Sequence, residues 1–349
     1  MGIKNAAEKS KLAVLEAVRG FAALYVFIHH AHIAPNNYLG MLLYFGQEVV
    51  ILFFLLSGFV IDYSLKNGSF EAKKYFKLRF RRIYPIFLMA LILSYIAACL
   101  IHKGWASVYP SQLVGNILML QDVSALKRGV WFDTYQSNSP LWSLSYEWCF
   151  YLLFIPIMLL PARGKLHLFV VFLISFFGWL LYQLVPNPVA LFFSYFIIWW
   201  AGVELSREFK LSGNLTFLNQ RILLGALLIL VMLQLIPIFM FHRAGIHLQL
   251  GIDPVLQFRH YAVTVLFVII AIFWQSKKIK IPKWFMGFSY IAPISYGIYI
   301  MHVPILNVIH KFVLERSIII FLIAIPIVFL FGWLLESVYQ KSINKHWRI

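Results

Sequence analysis

Ten stretches of the 349-residue chain stay apolar for the roughly 20 residues that a helix needs to cross a bilayer. They fall at about 12–33, 40–64, 83–101, 140–160, 167–185, 189–205, 221–241, 257–274, 288–310 and 317–340. Lipid offers backbone N–H and C=O groups no partner, so such stretches must close their hydrogen bonds internally. The fold class that follows is all-α: a polytopic membrane helix bundle of about ten transmembrane helices. Composition agrees, because 62% hydrophobic against 12% charged residues is more apolar surface than a soluble domain of this size hides. No repeat, low-complexity tract or soluble domain interrupts the pattern. Residues 1–349 are therefore expected to form one membrane domain, with no fused extracytoplasmic domain.

A formal charge of +17 would suit nucleic acid in a soluble protein. Here the cations sit between apolar segments, so they report topology and membrane lipids, and no nucleic acid partner is expected. Basic residues crowd alternate connections: Lys4 to Lys11, Lys66 to Arg82, Arg163 and Lys165, Arg207 to Arg221, Lys277 to Lys283, and Lys341 to Arg348. The other connections hold only Lys103, Lys127, Arg128, Arg243, Arg259, Lys311 and Arg316. By the positive-inside rule both termini face the cytoplasm. Cys99 and Cys149 lie inside apolar runs and read as small hydrophobes.

Ionisable residues inside the spans are expensive, so each is a functional candidate. Arg19 and His30 share the first span. Eleven residues turn a helix through about 1100°, so both point off one face, separated by about 16 Å along the axis. Arg19 also reads as a snorkelling anchor beside Glu16, and His30 as an imidazole hydrogen-bonded in the bundle. His29 and His32 stand at i, i+3, but no carboxylate or thiol follows at ligand spacing, so no metal is expected. In "KKYFKLRFRRIYP", Arg79 and Arg82 lie three apart at the cytoplasmic mouth of the third span, with Arg81 turned away. They suit either a positive-inside anchor or a guanidinium fork for phosphate. Glu147 lies among Trp142, Tyr146, Trp148 and Tyr151. An interfacial aromatic belt explains the rings but leaves a carboxylate in need of an imidazole or a substrate hydroxyl. Ser295, Tyr299 and His302 form one helical stripe. Asp62 ends the second span, and Gln47 and Glu48 begin it, where they read as water-facing. His30, Glu147 and His302 thus converge toward the outer side; Arg19, Arg79 and Arg82 converge toward the cytoplasm. An anion handle inside and a base outside suit a long substrate, and an extended pantetheine arm has that reach.

Arg19-x10-His30, "FFLLSGFVI", Arg79-x-x-Arg82 followed by Tyr84 and Pro85, "LWSLSYEWCFYLL" and "SYGIYIMH", in that order, resemble the acyltransferase 3 family of integral membrane acyltransferases. The resemblance runs from residue 12 to about 310. It implies transfer of an acyl group, usually acetyl, from cytoplasmic acyl-CoA to a hydroxyl of a polysaccharide or lipid-linked glycan. No cofactor would be held permanently, and acetyl-CoA is the donor substrate. On this resemblance His30 is the catalytic histidine, with Glu147 orienting an imidazole or placing the acceptor. Arg19, Arg79, Arg82 and Tyr84 handle acyl-CoA, and Trp142, Ser143, Tyr299 and His302 support the acceptor side. The implied location is the cell inner membrane. Many relatives carry a fused extracytoplasmic domain; this chain is expected to act alone or to hand over to a separate extracytoplasmic transferase. The loop 102–139, with Trp105, Trp131 and Tyr135, is the expected glycan surface.

Two other readings compete. A multispan transporter for a lipid-linked sugar or another anion would use Arg19 and His30 as a substrate and proton path, and would accumulate substrate in vesicles without an acyl donor. An assembly subunit of a polysaccharide exporter would keep its glycan decorated after His30→Ala or Arg82→Ala.

Overall fold

Ten helices among the described residues are long and apolar enough to cross a membrane, and each overlies one predicted span. The computed structural model describes residues 2–33, 41, 43–65, 70–161, 164–277, 279–313 and 318–346. Lys66, Arg163, Lys278, Arg316 and Arg348, and the span positions 40, 42 and 317, lie outside them. The long helices are α1 (Gly2–His30), α2 (Gly46–Ser64), α3 (Ala72–His102), α4 (Trp142–Leu159) and α5 (Lys165–Leu184). They continue as α6 (Pro188–Ser212), α7 (Phe217–Arg243), α8 (Val255–Ser276), α9 (Ser295–Phe312) and α10 (Ile318–Trp333). The chain leaves α10 through a π-helical turn at Leu334–Tyr339. Helix α9 is approached through a short helix, Lys283–Met286, and two 3₁₀ turns. Among the described residues, strand pairing is confined to a two-residue parallel contact between Gln121–Asp122 and Phe132–Asp133.

The largest boundary difference is in α3, which begins at Ala72 where apolarity alone predicted 83. The basic run is a helical extension beyond the apolar stretch, and Pro85 does not break it. Proline removes the N–H that would bond the carbonyl four residues back. That carbonyl belongs to Arg81, and it accepts instead from Gln340 Nε2 at 3.0 Å. The same repair recurs in α9, where Pro304 frees the Ile300 carbonyl and Asn138 Nδ2 donates to it at 3.0 Å. A side-chain amide thus closes each gap, as a bilayer requires. Asn138→Ala is expected to cost about 1–3 kcal/mol by leaving that buried carbonyl unsatisfied. Thermal unfolding of the purified chain measures it, and an unchanged midpoint would contradict the repair.

Helix α6 runs through the centre, with Tyr195, Trp199 and Trp200 fully buried. It meets α2 backbone to backbone. A Cβ on Gly58 would stand 2.1 Å from the Trp199 carbonyl oxygen, and one on Gly202 would stand 2.0 Å from that of Leu55. Small residues permit this approach between membrane helices, and it sets Ser57 against the Trp199 ring. On α1, a Cβ at Gly20 would stand 2.0 Å from the Phe288 carbonyl oxygen. Glycine there lets α1 lie against the turns that lead into α9. Glu48, expected to face water, is buried and pairs with Arg259 at 2.5 Å. The α2–α8 packing closes over it.

Candidate active site

Helices α1 and α9 run alongside each other and bring two imidazoles together across 272 residues of sequence. His302 Nδ1 lies 3.1 Å from the Ile298 carbonyl oxygen. A carbonyl only accepts, so this nitrogen carries the proton and Nε2 of the neutral ring is a bare acceptor. His30 Nδ1 faces that acceptor at 3.3 Å and the Val26 carbonyl at 3.0 Å. Both partners accept, so the His30 proton sits on Nδ1. The tautomers, assigned from their partners, put an acceptor lone pair on His30 Nε2, and among the described residues no donor faces it. His302 is fully buried, whereas His30 is half-buried. His29 turns aside, its Nδ1 2.6 Å from the Leu43 carbonyl. Among the described residues no group of three or more His, Cys, Asp or Glu side chains is gathered as a metal site.

Arg19 faces the same neighbour nearer the basic end of the bundle. Its Nη2 donates to the Ala292 carbonyl at 2.9 Å, just before α9. The spacing Arg19–His30 on α1 therefore matches Ala292–His302 along the α9 side. Arg19 lies within electrostatic reach of Arg82, Glu16 and Glu336. Glu336, in the π-helical turn after α10, was not singled out in the sequence. Both of its oxygens take the Arg82 guanidinium: Nη2 donates to Oε1 at 3.0 Å, and Nη1 bonds Oε2. The carboxylate is 3% exposed and the Arg82 side chain 41% exposed. Two guanidiniums at such close quarters repel, and a buried carboxylate between them removes much of that cost. The fork uses two of the five guanidinium N–H groups and leaves the others for a ligand. Arg82 also lies over the Tyr296 ring, 5.5 Å from its centroid. The signal in the sequence was there, since Glu336 is the one carboxylate in the last apolar stretch.

Arg79 lies by the rings of Tyr75 and Tyr151, 5.6 and 5.8 Å from their centroids, and Tyr151 is also within electrostatic reach of Arg82. The Arg79 Nε, like that of Arg19, is buried with no hydrogen-bond partner among the described residues. Glu147 joins this side and not the imidazoles. Its Oε1 accepts from Ser57 Oγ at 2.6 Å and from the Tyr151 hydroxyl at 2.5 Å. Trp199 Nε1 donates to Ser57 Oγ at 3.2 Å, so three helices hold the carboxylate. Ser143 and Tyr299 pair with each other at 2.9 Å, and the Tyr299 and His302 ring centroids are 6.1 Å apart. Tyr84 is on a different side of α3 from Arg82. It stacks on Phe80 at 4.5 Å and donates to the Ile117 carbonyl at 3.3 Å.

Trp142 belongs to a separate cluster under the loop between α3 and α4. Lys127 Nζ lies 3.7 Å from the centroid of the Trp142 ring. The same ammonium bonds Asp122 at 2.8 Å and the Tyr146 hydroxyl at 3.2 Å. Burial pulls the Lys127 ammonium below the usual lysine range, and the Asp122 carboxylate opposes that pull.

Ten membrane-grade helices around a polar interior define a multi-pass membrane protein. The acyltransferase domain profile, Acyl_transf_3, matches residues 12–337, and the chain belongs to this acyltransferase 3 family. Acyltransferase MdmB of Streptomyces mycarofaciens is 33% identical over 158 residues, covering 41% of this chain and 38% of that protein. An uncharacterized protein of Haemophilus influenzae is 30% identical over 139 residues, 36% of this chain and 56% of that one. Protein 2 in picA locus of Rhizobium radiobacter is 32% identical over 93 residues, 24% and 44% respectively. The chain thus spans about 38–56% of the length of these curated relatives. No solved structure matches significantly.

Proposed function

We propose that this protein is an inner-membrane O-acyltransferase that moves an acyl group, acetyl by preference, from cytoplasmic acyl-CoA to a hydroxyl of a cell-surface or lipid-linked glycan. The observation that carries the reading is His30: a half-buried imidazole with a bare Nε2, on the helix face that bears Arg19. Membership of the acyltransferase 3 family and the likeness to a protein named as an acyltransferase support it.

In this reading the basic end is cytoplasmic. Arg82, oriented by Glu336, and Arg79 hold the phosphates of CoA, and Arg19 guides the pantetheine between α1 and α9. At the far end His30 Nε2 takes the proton of the acceptor hydroxyl. The oxygen attacks the thioester carbonyl, the new C–O bond forms, and the C–S bond breaks. The departing thiolate takes the proton back from His30 Nε2. His302 is a positioning residue that holds the His30 tautomer through the hydrogen bond to Nδ1. Glu147 sets Tyr151 and Ser57 beside the donor path.

Purified protein supplied with radiolabelled acetyl-CoA and membrane-extracted glycan tests the reading. Labelled glycan is the expected product, and its absence from a folded preparation would overturn the proposal. Label trapped on protein without acceptor would replace direct transfer with an acyl-histidine. Glu336→Gln keeps the shape and removes the counter-ion, so Arg82 loses its fork. It is expected to raise KM for acyl-CoA about tenfold, equivalent to ~1.4 kcal/mol, while changing kcat less. A lowered KM would mean instead that Glu336 competes with the donor.

A further inference from the structure

Helix α3 reaches the basic end of the bundle with two distinct faces. Arg79 and Arg82 turn inward, to the Tyr75 and Tyr151 rings and to Glu336. Lys77 stands two residues before Arg79 and five before Arg82, so it points about 160° and 140° away from them. We propose that this outer face is a seat for one anionic phospholipid, with the phosphate on the lysines and an acyl chain on the rings below. Such a seat stands apart from the acyl-transfer reading and holds without it.

Residues four apart form a ridge along a helix. One ridge of α3 is Phe76, Phe80, Tyr84, Leu88, Ile92 and Ile96. Phe76, Leu88, Ile92 and Ile96 are exposed, which marks this as the ridge that α3 turns to lipid. The neighbouring ridge begins with Lys73 and Lys77, both exposed, and continues with Arg81, half-buried. Thirty-one residues make α3 about 46 Å long, beyond the roughly 30 Å hydrocarbon core, so its basic first turns reach headgroup depth. The ammoniums therefore stand beside the headgroup end of the lipid-facing ridge. Lys77 to Leu88 spans about 16 Å along the axis. A phosphate held at Lys73 and Lys77 can thus lay its chain over Phe80, Tyr84 and Leu88.

The rings are already set for that chain. Phe80 stacks on Tyr84 with centroids 4.5 Å apart and on Phe76 at 6.1 Å. Trp148 of α4 packs behind them, 4.8 Å from Tyr84 and 5.8 Å from Phe76. The Tyr84 hydroxyl is tied to the Ile117 carbonyl. A surface fixed in this way loses little freedom when a chain lies on it.

Charge chooses the headgroup. Lys74, also exposed, follows Lys73, and the first turn of α3 adds the positive end of the helix dipole. Glu71, exposed at the start of the helix, opposes them, but Lys73, Lys74 and Lys77 outnumber it. An anionic headgroup gains from that field, whereas a zwitterionic one brings its own cation against the lysines. A lipid seated here braces the turns of α3 that carry Arg79 and Arg82 on their inner side.

Native mass spectrometry of the full chain in nonionic detergent tests the seat. Phosphatidylglycerol and phosphatidylcholine with the same chains compete at equal concentration, without any acyl donor. Phosphatidylglycerol is expected to be the first lipid retained, by about tenfold or more. Lys73→Gln and Lys77→Gln should each cut that preference about fivefold, the effect of one cation at a lipid surface. Both side chains are exposed, so the changes spare the fold. Phe76→Ala should weaken both lipids without changing the preference, because the ring meets the chain and not the headgroup. The control is Lys280→Gln with Lys283→Gln, at exposed lysines of another basic connection. Equal retention of the two lipids would overturn the proposal. So would a preference that falls as far in the control pair as in the Lys73 and Lys77 variants, the sign of a diffuse field. Displacement of phosphatidylglycerol by inorganic phosphate or by acetyl-CoA would make this a small-anion site and overturn it equally. None of these results touches the radiolabel test of acyl transfer, so the two readings fail separately.

Discussion

His30→Ala is expected to lower acyl transfer from acetyl-CoA by roughly 10²–10⁴-fold, the range of a positioned general base. The expectation rests on geometry: both acceptors near the ring face Nδ1, so the reactive lone pair is on Nε2. The substitution removes that lone pair and cuts the link to His302, but leaves the α1–α9 contact at Arg19 in place. KM for the donor should change little, since the proposed phosphate grip lies at the far end of the bundle. His302→Ala should be milder, about tenfold in kcat, because it removes one neutral hydrogen bond and not the base. His302→Gln, which restores an acceptor for His30 Nδ1, should recover part of the loss. Thiol release from acetyl-CoA measures all three. A fully active His30→Ala protein would remove the imidazole from the chemistry.

Asp122→Ala is expected to destabilise the protein by roughly 3–5 kcal/mol, the cost of leaving a buried charge without its partner. Lys127 and Asp122 are almost completely buried, at 1% and 0% side-chain exposure. Asp122 also accepts from the Tyr146 hydroxyl at 2.7 Å, so one carboxylate fixes the loop to α4. Replacing both charges, as Asp122→Leu with Lys127→Met, should restore most of the stability, since neither charge is then left unpaired. Unfolding followed by intrinsic fluorescence gives both numbers. If the double variant proved as unstable as the single one, the pair would matter through shape and not through charge.

The ten spans were legible because a continuous apolar run of about 20 residues closes its own backbone hydrogen bonds in lipid as a helix, whatever its side chains are. Arg19 and His30 on one face followed from helical period alone, and both do meet the α9 side. What period does not supply is the partner. The Arg82–Glu336 fork joins residues 254 apart, and Glu336 is brought to α3 only by how the last helix packs. Glu147 stood out as a carboxylate needing a partner, but an apolar sequence does not say whether an imidazole or a serine on α2 will face it. Tyr135, grouped with the exposed aromatics Trp105 and Trp131, is 3% exposed, because the loop folds back and its backbone N–H donates to Asn116 Oδ1 at 3.0 Å. Loop aromatics do not reveal from sequence which face they turn to water.

Sealed proteoliposomes with acetyl-CoA on one side and glycan acceptor on the other bring the account to its sharpest test. Transfer across the membrane is predicted only when the donor is supplied at the end bearing Arg79, Arg82 and Glu336, with label appearing on acceptor at the opposite face. Transfer that requires donor and acceptor on the same side would contradict a path from the guanidiniums to His30.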